Sequence, residues 1–209
     1  MASKLRLRRV FKPVINFIAK YLSNLGVSPN LATILMLVFA GLSNISLTIF
    51  NNFLLCAIFI FLTGIFDGID GAIARYRNQN SFFGGFLDSV MDRISEFIIF
   101  FGFLIHFDND MLWFIIDIRI VIIISFFCSI MISYMRTRGE SLVKGDFDIG
   151  LMARSERLFF LFLSFLIAYF FGYIKEMLFI FMLLVLVSAL YRFFKIRKTI
   201  HNSEKNLRI

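Results

Sequence analysis

The feature that most constrains this chain is a series of apolar segments separated by short charged connections. A helix that crosses a bilayer needs about 20 consecutive, mostly apolar residues. A water-soluble domain could not keep this much apolar surface from water, because 59% of the residues are hydrophobic. The sequence therefore predicts an all-α integral membrane protein with six transmembrane helices, over residues 29–50, 53–76, 81–107, 111–137, 153–173 and 175–196.

The first 27 residues predict a different kind of element. A basic arm precedes Pro13, which suits the first turn of a helix ending near Gly26. The apolar residues between them recur at helical spacing, which is typical of an amphipathic helix lying in the membrane interface. We therefore expect three regions: an arm with an interfacial helix over residues 1–27, a six-helix transmembrane domain over residues 28–198, and a polar cytoplasmic tail over residues 199–209 that frays.

The basic residues predict how the chain is oriented in a cell membrane. The chain has 22 Lys and Arg against 14 Asp and Glu, a net charge of +8. Most of the Lys and Arg lie in the N-terminal arm, in the connection 136–157 and in the tail 192–208. The positive-inside rule then places both termini and these connections in the cytoplasm of a multi-pass plasma-membrane protein. Basic residues at the ends of apolar segments favour the lipid bilayer and phosphorylated substrates as partners, and not nucleic acid.

Four aspartates stand out because an ionised group inside a membrane costs about 3 kcal/mol even on the mild translocon scale. Asp67 and Asp70 share one face of the second span, and Asp88 and Asp92 share one face of the third. The short connection between these spans predicts antiparallel neighbours whose carboxylates converge near the cytoplasmic end. A divalent cation would relieve their repulsion, and ligands that are all oxygen favour Mg²⁺ or Mn²⁺. The alternative is that these acids pair with arginines in water, but the presence of four acids at this spacing disfavours it.

The spacing of these acids resembles a known family. Asp67-x-x-Asp70-Gly71-x-x-Ala74-Arg75, followed after eight residues by Gly84-x-x-x-Asp88-x-x-x-Asp92, is similar to the complete signature of the CDP-alcohol phosphatidyltransferases. The resemblance implies a six-span fold, a homodimer, and two Mg²⁺ or Mn²⁺ ions held by the four aspartates, with Asp92 also the general base. The residues expected to contact the CDP-activated lipid are Asn30, Thr33, Gly71, Ala74, Arg75, Ser81 and Gly84.

A group of arginines on the same side of the membrane predicts a phosphorylated acceptor, because guanidinium groups bind phosphate in a bidentate way. The alternative is that they only follow the positive-inside rule. The stretches 133–140 and 154–157 resemble the branch of the family that makes phosphatidylinositol phosphate or its archaeal ether-lipid counterpart, although Ala153 and Gly139 stand where that branch usually has Glu and Ala. The resemblance implies that inositol 1-phosphate is bound by Ser133, Arg136, Arg138, Arg157 and Arg192.

The predicted reaction transfers a phosphatidyl or archaetidyl group from a CDP-activated lipid to a hydroxyl of inositol 1-phosphate and releases CMP. Glycerol 3-phosphate is the alternative acceptor. A membrane transporter or cation channel is the alternative of a different class, and it predicts acids along a path through the membrane, whereas these acids cluster at one end. We expect Asp117 and Arg119 at the outer interface, and Glu96 beside the polar pocket.

Overall fold

The computed structural model describes residues 7–79, 81–143, 145, 147 and 149–207. Most of this described chain is helical, which confirms the all-α prediction. The helices are α1 (Leu7–Asn24), α2 (Pro29–Thr48), α3 (Phe53–Tyr76), α4 (Phe82–His106), α5 (Ile118–Leu142), α6 (Arg154–Phe171) and α7 (Ile174–Leu207). A small antiparallel hairpin joins α4 to α5 and consists of β1 (Met111–Leu112) and β2 (Ile116–Asp117).

Four of the described helices are long and apolar enough to cross a membrane, namely α2, α3, α5 and α7 as far as Ser203. The other two members of the bundle, α4 and α6, have 25 and 18 residues. Their apolar residues are interrupted by charges, which α4 carries between Asp88 and Glu96 and α6 in its first turn. The helical bundle of a multi-pass membrane protein is therefore present, with the charged residues of α4 and α6 toward one end.

The packing order differs from the predicted one. The short connection between α3 and α4 predicts direct neighbours, but α2 packs extensively against both helices, and α3 and α4 contact one another much less. Asn44 on α2 donates from Nδ2 to the carbonyl of Ile98 on α4 at 3.1 Å. A Cβ at Gly102 would lie only 2.9 Å from Cγ of Asn44, so this close approach of α2 to α4 needs glycine.

The predicted fourth span begins too early. Residues 111–117 form the β1–β2 hairpin, and α5 starts at Ile118. The carboxylate of Asp117 caps α5 by accepting the backbone N–H of Arg119 at 2.9 Å, as an N-cap side chain does. Trp113 and Phe114, at the hairpin turn, both have positive φ, which sequence hydropathy cannot reveal. Asp117 is thus the N-cap residue and Arg119 lies in the first turn of α5, so both are at the start of the helix and not in its interior.

Two helix ends also differ from the prediction. α1 begins at Leu7, so Pro13 lies inside the helix and not in its first turn. α7 continues to Leu207, so the part of the expected frayed tail that the structure describes is helical. Residues 195–207 contain neither Gly nor Pro, and nothing in that stretch interrupts the helix.

The amphipathic α1 packs against α3 along one face. Ile15, Ala19 and Ser23 are buried there, while Phe17 and Tyr21 on the other side of the helix are exposed. At the end of α3, Arg77 donates from Nε to the hydroxyl of Ser23 at 2.8 Å and from Nη2 to its carbonyl at 2.5 Å. These contacts hold α1 across the same end of the bundle where the aspartates lie.

Candidate active site

Three of the four predicted aspartates converge on one point. Carboxylate oxygens of Asp67 on α3 and of Asp88 and Asp92 on α4 lie within 4.8 Å of one another. All three side chains are half-buried. The four-residue interval between Asp88 and Asp92 puts both on one face of α4, as the helical period requires. The predicted clustering of acids from these two helices is therefore present.

Asp70 lies one helical turn after Asp67 and is buried. Its Oδ2 accepts a hydrogen bond from the hydroxyl of Thr33 at 2.9 Å, and its Oδ1 accepts the backbone N–H of Gly71 at 2.5 Å. Thr33 and Gly71 belong to the set expected to contact the CDP-lipid. In this structure both fix the orientation of the Asp70 carboxylate, and α2 is thereby connected to the acidic face of α3.

The donor atoms fit a divalent cation. Ligands that are all carboxylate oxygen suit the hard ions Mg²⁺ and Mn²⁺. Oxygens from Asp67, Asp88 and Asp92 are close enough to share an ion, and Asp70 lies on the next turn of α3. These residues would hold metal at the end of the bundle where the charged residues collect.

A residue that the sequence prediction missed lies among the acids. Arg154, at the start of α6, donates from Nη1 to Asp67 and, at 2.5 Å, to Asp92. Its Nη2 donates to the hydroxyl of Ser95 at 2.6 Å. The spacing of Arg154 and Arg157, three residues apart at the start of a helix, places them on one face and is a signal that could have identified Arg154.

Next to this group is a fully buried ion pair. Arg157 donates from Nε and Nη2 to the two oxygens of Glu96 at 2.7 and 2.9 Å, and from Nη1 to the carbonyl of Met152 at 3.0 Å. The side chains of Arg157 and Glu96 are 0% and 3% exposed. Met152 has a left-handed backbone with φ of 61°, which is rare for a residue with a side chain. Glu96, expected beside the polar pocket, is thus the partner of a predicted phosphate ligand.

A cavity of about 400 Å³ opens beside the acids. On one side it is lined by Asp67, Asp88 and Asp92. The same cavity is also lined by most of the residues expected to bind the acceptor phosphate, together with Arg154. The lining members of the predicted acceptor set are Ser133, Arg136, Arg157 and Arg192.

The structure separates Arg138 from the rest of that set. Ser133 and Arg136 line the cavity, whereas Arg138 is exposed and lines a different groove with residues of α7. The physical reason is the helical period, because Arg138 is about 200° around α5 from Arg136. Arg192 is buried and donates from Nη1 to the carbonyl of Ile132 at 3.2 Å, which holds α7 against α5 at the cavity wall.

The remaining residues expected to contact CDP lie around the aspartates on α2, α3 and α4. A Cβ at Gly71 would lie 3.2 Å from Nη1 of Arg75, so the Arg75 side chain folds back over Gly71. Ser81 caps α4 by accepting the N–H of Gly84 at 2.9 Å. Asn30 is exposed in the first turn of α2, and Ala74 is half-buried on α3. None of these residues lines the cavity that holds the arginines.

The order of acids, small residues and bundle helices matches a known family. Residues 26–191 match the CDP-alcohol phosphatidyltransferases. The chain belongs to the CDP-alcohol phosphatidyltransferase family. The family predicted from the aspartate signature is confirmed, and with it the assignment of the chain as a membrane transferase of phospholipid biosynthesis.

Curated relatives place it near two groups within the family. It is 34% identical to the archaetidylinositol phosphate synthase of Pyrococcus horikoshii over 164 residues, which cover 78% of this chain and 81% of the relative. It is 33% identical to the phosphatidylinositol phosphate synthase of Streptomyces avermitilis, over 72% of this chain and 61% of the relative.

Crystal structures of the Mycobacterium tuberculosis phosphatidylinositol phosphate synthase have the same fold. The form with CDP-DAG bound has a TM-score of 0.74 at 24% identity and covers 88% of this chain and 94% of that one. The form in complex with manganese and citrate has a TM-score of 0.74 at 26% identity, with 87% and 88% covered.

Proposed function

We propose that this CDP-alcohol phosphatidyltransferase transfers the phosphatidyl or archaetidyl group of a CDP-activated lipid to a hydroxyl of inositol 1-phosphate and releases CMP. The observation that carries the proposal is the cavity that both the acids and the arginines line. The acids suit a metal-assisted displacement at phosphorus, and the arginines suit a phosphorylated acceptor. The names of the relatives from P. horikoshii and S. avermitilis support inositol phosphate as that acceptor.

In this proposal two Mg²⁺ or Mn²⁺ ions are held by Asp67, Asp70, Asp88 and Asp92. When bound, such ions neutralise the charge of the diphosphate and favour the departure of CMP. The hydrogen bonds from Thr33 and Gly71 would keep Asp70 turned toward the site. The manganese complex of the M. tuberculosis enzyme supports a divalent metal here.

Asp92 is the proposed general base. Its carboxylate lines the cavity and is 17% exposed, so an acceptor hydroxyl in the cavity can reach it. Asp92 takes the hydroxyl proton while the oxygen forms a bond to the lipid-linked phosphorus. The bond from that phosphorus to the oxygen of CMP breaks, and CMP leaves with the bonding electron pair. Arg154, which contacts Asp92, is proposed to position this carboxylate.

For the phosphate of the acceptor we propose Ser133, Arg136 and Arg192, which line the cavity from α5 and α7. Arg157 also lines it, but three of its N–H groups already bind Glu96 and Met152. Arg157 therefore contributes mainly by fixing the position of α6. For the CDP portion of the donor we retain Asn30, Thr33, Gly71, Ala74, Arg75, Ser81 and Gly84, none of which lines this cavity.

We also propose that all six helices α2 to α7 cross the membrane of a homodimeric enzyme, with α1 in the interface. The cavity and both termini then face the cytoplasm. The basic residues support this orientation, since Lys and Arg collect in cytoplasmic connections. Arg136 and Arg154 lie at the cavity end of the bundle, whereas the exposed Trp113 and Tyr173 at the other end suit a membrane interface.

An acceptor panel tests the proposal. Purified protein with CDP-lipid and Mn²⁺ would receive inositol 1-phosphate, glycerol 3-phosphate, free inositol or serine, and lipid products would be identified by mass. We expect product with inositol 1-phosphate and none with free inositol. Faster turnover of free inositol or serine would overturn the phosphate site. Preference for glycerol 3-phosphate would keep the phosphate site and change the polyol. Failure to release CMP with any acceptor would contradict the proposed transfer reaction.

A further inference from the structure

A second groove lies on the side of α5 away from the cavity, between the ends of α5 and α7, with a volume of about 670 Å³. We call it the basic groove. Its cationic side chains are Arg138 on α5 and Arg197 and Lys198 on α7, and apolar side chains such as Leu142 and Phe193 adjoin them. The proposed acceptor site does not use this groove, although the family resemblance had implied that Arg138 binds the acceptor.

The lengths of its two helices place the groove at headgroup depth. A bilayer core of about 30 Å is crossed by about 20 helical residues. Counted from the start of α7 at Ile174, the core ends near residue 193, and counted from the start of α5 at Ile118 it ends near residue 137. Phe193 is thus at the boundary, and Arg138 and Arg197 lie just beyond it.

The charges of the groove are of one sign. No Asp or Glu is among its lining residues. Among the ion pairs of the described residues, none involves Arg138, Arg197 or Lys198, which are exposed. Three cations directed to one concave surface would attract an anionic group, and a guanidinium binds a phosphate oxygen pair in a bidentate way.

The apolar part of the groove decides which anion fits. Phe193 and Phe194 are 51% and 59% exposed on the membrane side of the cations. A soluble phosphate would leave these side chains uncovered, whereas the chains of a lipid would cover them. An amphipathic ligand with a negative head matches both parts of the surface.

We propose that the basic groove binds an anionic phospholipid, with its headgroup phosphate on Arg138, Arg197 and Lys198 and its chains against the exposed apolar side chains. The site is separate from the active-site cavity, because the two are lined by opposite faces of α5. The proposal does not depend on which acceptor the enzyme uses.

The test is lipid binding by the full chain in zwitterionic nanodiscs, titrated with phosphatidylglycerol and measured by native mass spectrometry. Arg197→Gln/Lys198→Gln removes two charges from the groove. The control Lys12→Gln/Lys20→Gln removes two charges from exposed positions of α1 at the same end of the bundle. We expect the groove variant to bind phosphatidylglycerol at least ~10-fold more weakly, as loss of charge-assisted contacts predicts, and the control to bind as wild type does. Melting curves establish that both variants are folded.

Three results would overturn the proposal. Equal loss of binding in both variants would mean that only general attraction between basic residues and anionic lipid operates. Equal binding of phosphatidylcholine would mean that the apolar side chains alone hold lipid. Displacement of the lipid by millimolar inorganic phosphate would mean that the groove takes a soluble anion.

Discussion

The two ends of the helical bundle carry similar ion pairs in different surroundings. At the cavity end, Arg157 and Glu96 are fully buried. At the hairpin end, Arg119 pairs with Asp117 and Asp108 at 2.7 and 2.8 Å, and these side chains are partly or largely exposed. Breaking a buried pair leaves an uncompensated charge, whereas an exposed pair contributes little. The distances within the pairs therefore do not indicate which pair stabilises the fold, whereas their burial does.

The largest effect is expected at the buried pair. Arg157→Gln leaves the Glu96 carboxylate buried without its cation and should lower the free energy of unfolding by about 3–5 kcal/mol. Arg119→Gln is the matched change at the hairpin end and should leave the free energy of unfolding close to that of wild type. Chemical denaturation in detergent measures both.

A double substitution sharpens this comparison. Glu96→Leu/Arg157→Leu removes both charges and should recover much of the stability that Arg157→Gln loses, because apolar residues can replace a buried pair. If Arg157→Gln and Arg119→Gln were equally stable, burial would not explain the difference expected between the two ion pairs.

The next effect concerns catalysis. Asp92→Asn removes the proposed base and should lower kcat at least ~100-fold, the lower range for loss of general base catalysis, while CDP-lipid still binds. Asp108→Asn makes the same chemical change at the hairpin end and should leave kcat unchanged. Steady-state CMP release gives both values. Near-normal turnover by the Asp92 variant would mean that the base lies elsewhere.

Metal and nucleotide binding should respond to the other acids. Asp67→Asn removes one proposed ligand and should weaken Mn²⁺ binding at least ~10-fold, which is about 1.4 kcal/mol. The stabilisation of the protein by Mn²⁺ with CDP should fall accordingly in a thermal shift assay. Asp110→Asn, which disturbs only the exposed pair with Lys175, is the control. An unchanged Mn²⁺ effect in the Asp67 variant would remove that residue from the metal site.

Helix caps offer a smaller comparison between the ends. Ser81 caps α4 near the aspartates, and Asn52 caps α3 by accepting the N–H of Leu55 at 3.0 Å. Substitution of either by Ala should cost about 1 kcal/mol of stability. If Ser81 also contacts CDP, only Ser81→Ala should raise the KM for CDP-lipid. Equal KM values in the two variants would leave Ser81 as a cap alone.

The smallest effect concerns pH at the hairpin end. Hydrogen bonds from Arg119 hold the pKa of Asp117 below its ordinary value. Folding therefore favours the charged form of Asp117. The contribution of this charge to stability is present above the ordinary pKa and is lost as the pH falls through the lowered pKa. We expect the difference in melting temperature between wild type and Arg119→Gln to stay constant from pH 5 to pH 8. A difference that changes within this range would contradict the assignment.

The sequence predicts those parts of the site that depend only on the spacing of residues within a single helix. Helical spacing and the cost of intramembrane charge are enough to select Asp67 and Asp92. Arg154 was missed because its partners lie on two other helices, and their distance depends on how α3, α4 and α6 pack. The role of Glu96 escaped for the same reason, since Arg157 is 61 residues away in sequence.

Other differences have local causes. The hairpin at 111–117 is as apolar as the helix that follows, so hydropathy alone extends the fourth span through it. The two-residue interval between Arg136 and Arg138 already implied different faces of α5, and the family resemblance outweighed that signal. The close packing of α2 against α4 depends on Gly102 and Asn44, whose closeness no local pattern reveals.

The most direct test of the central claim is metal-dependent CMP release from CDP-lipid with inositol 1-phosphate, measured before chelation, after EDTA, and after Mn²⁺ or Mg²⁺ is restored. We predict release that EDTA abolishes and either ion restores, with phosphatidylinositol phosphate or its ether-lipid counterpart as the product. Full turnover in metal-free buffer would contradict the role of the aspartate cluster.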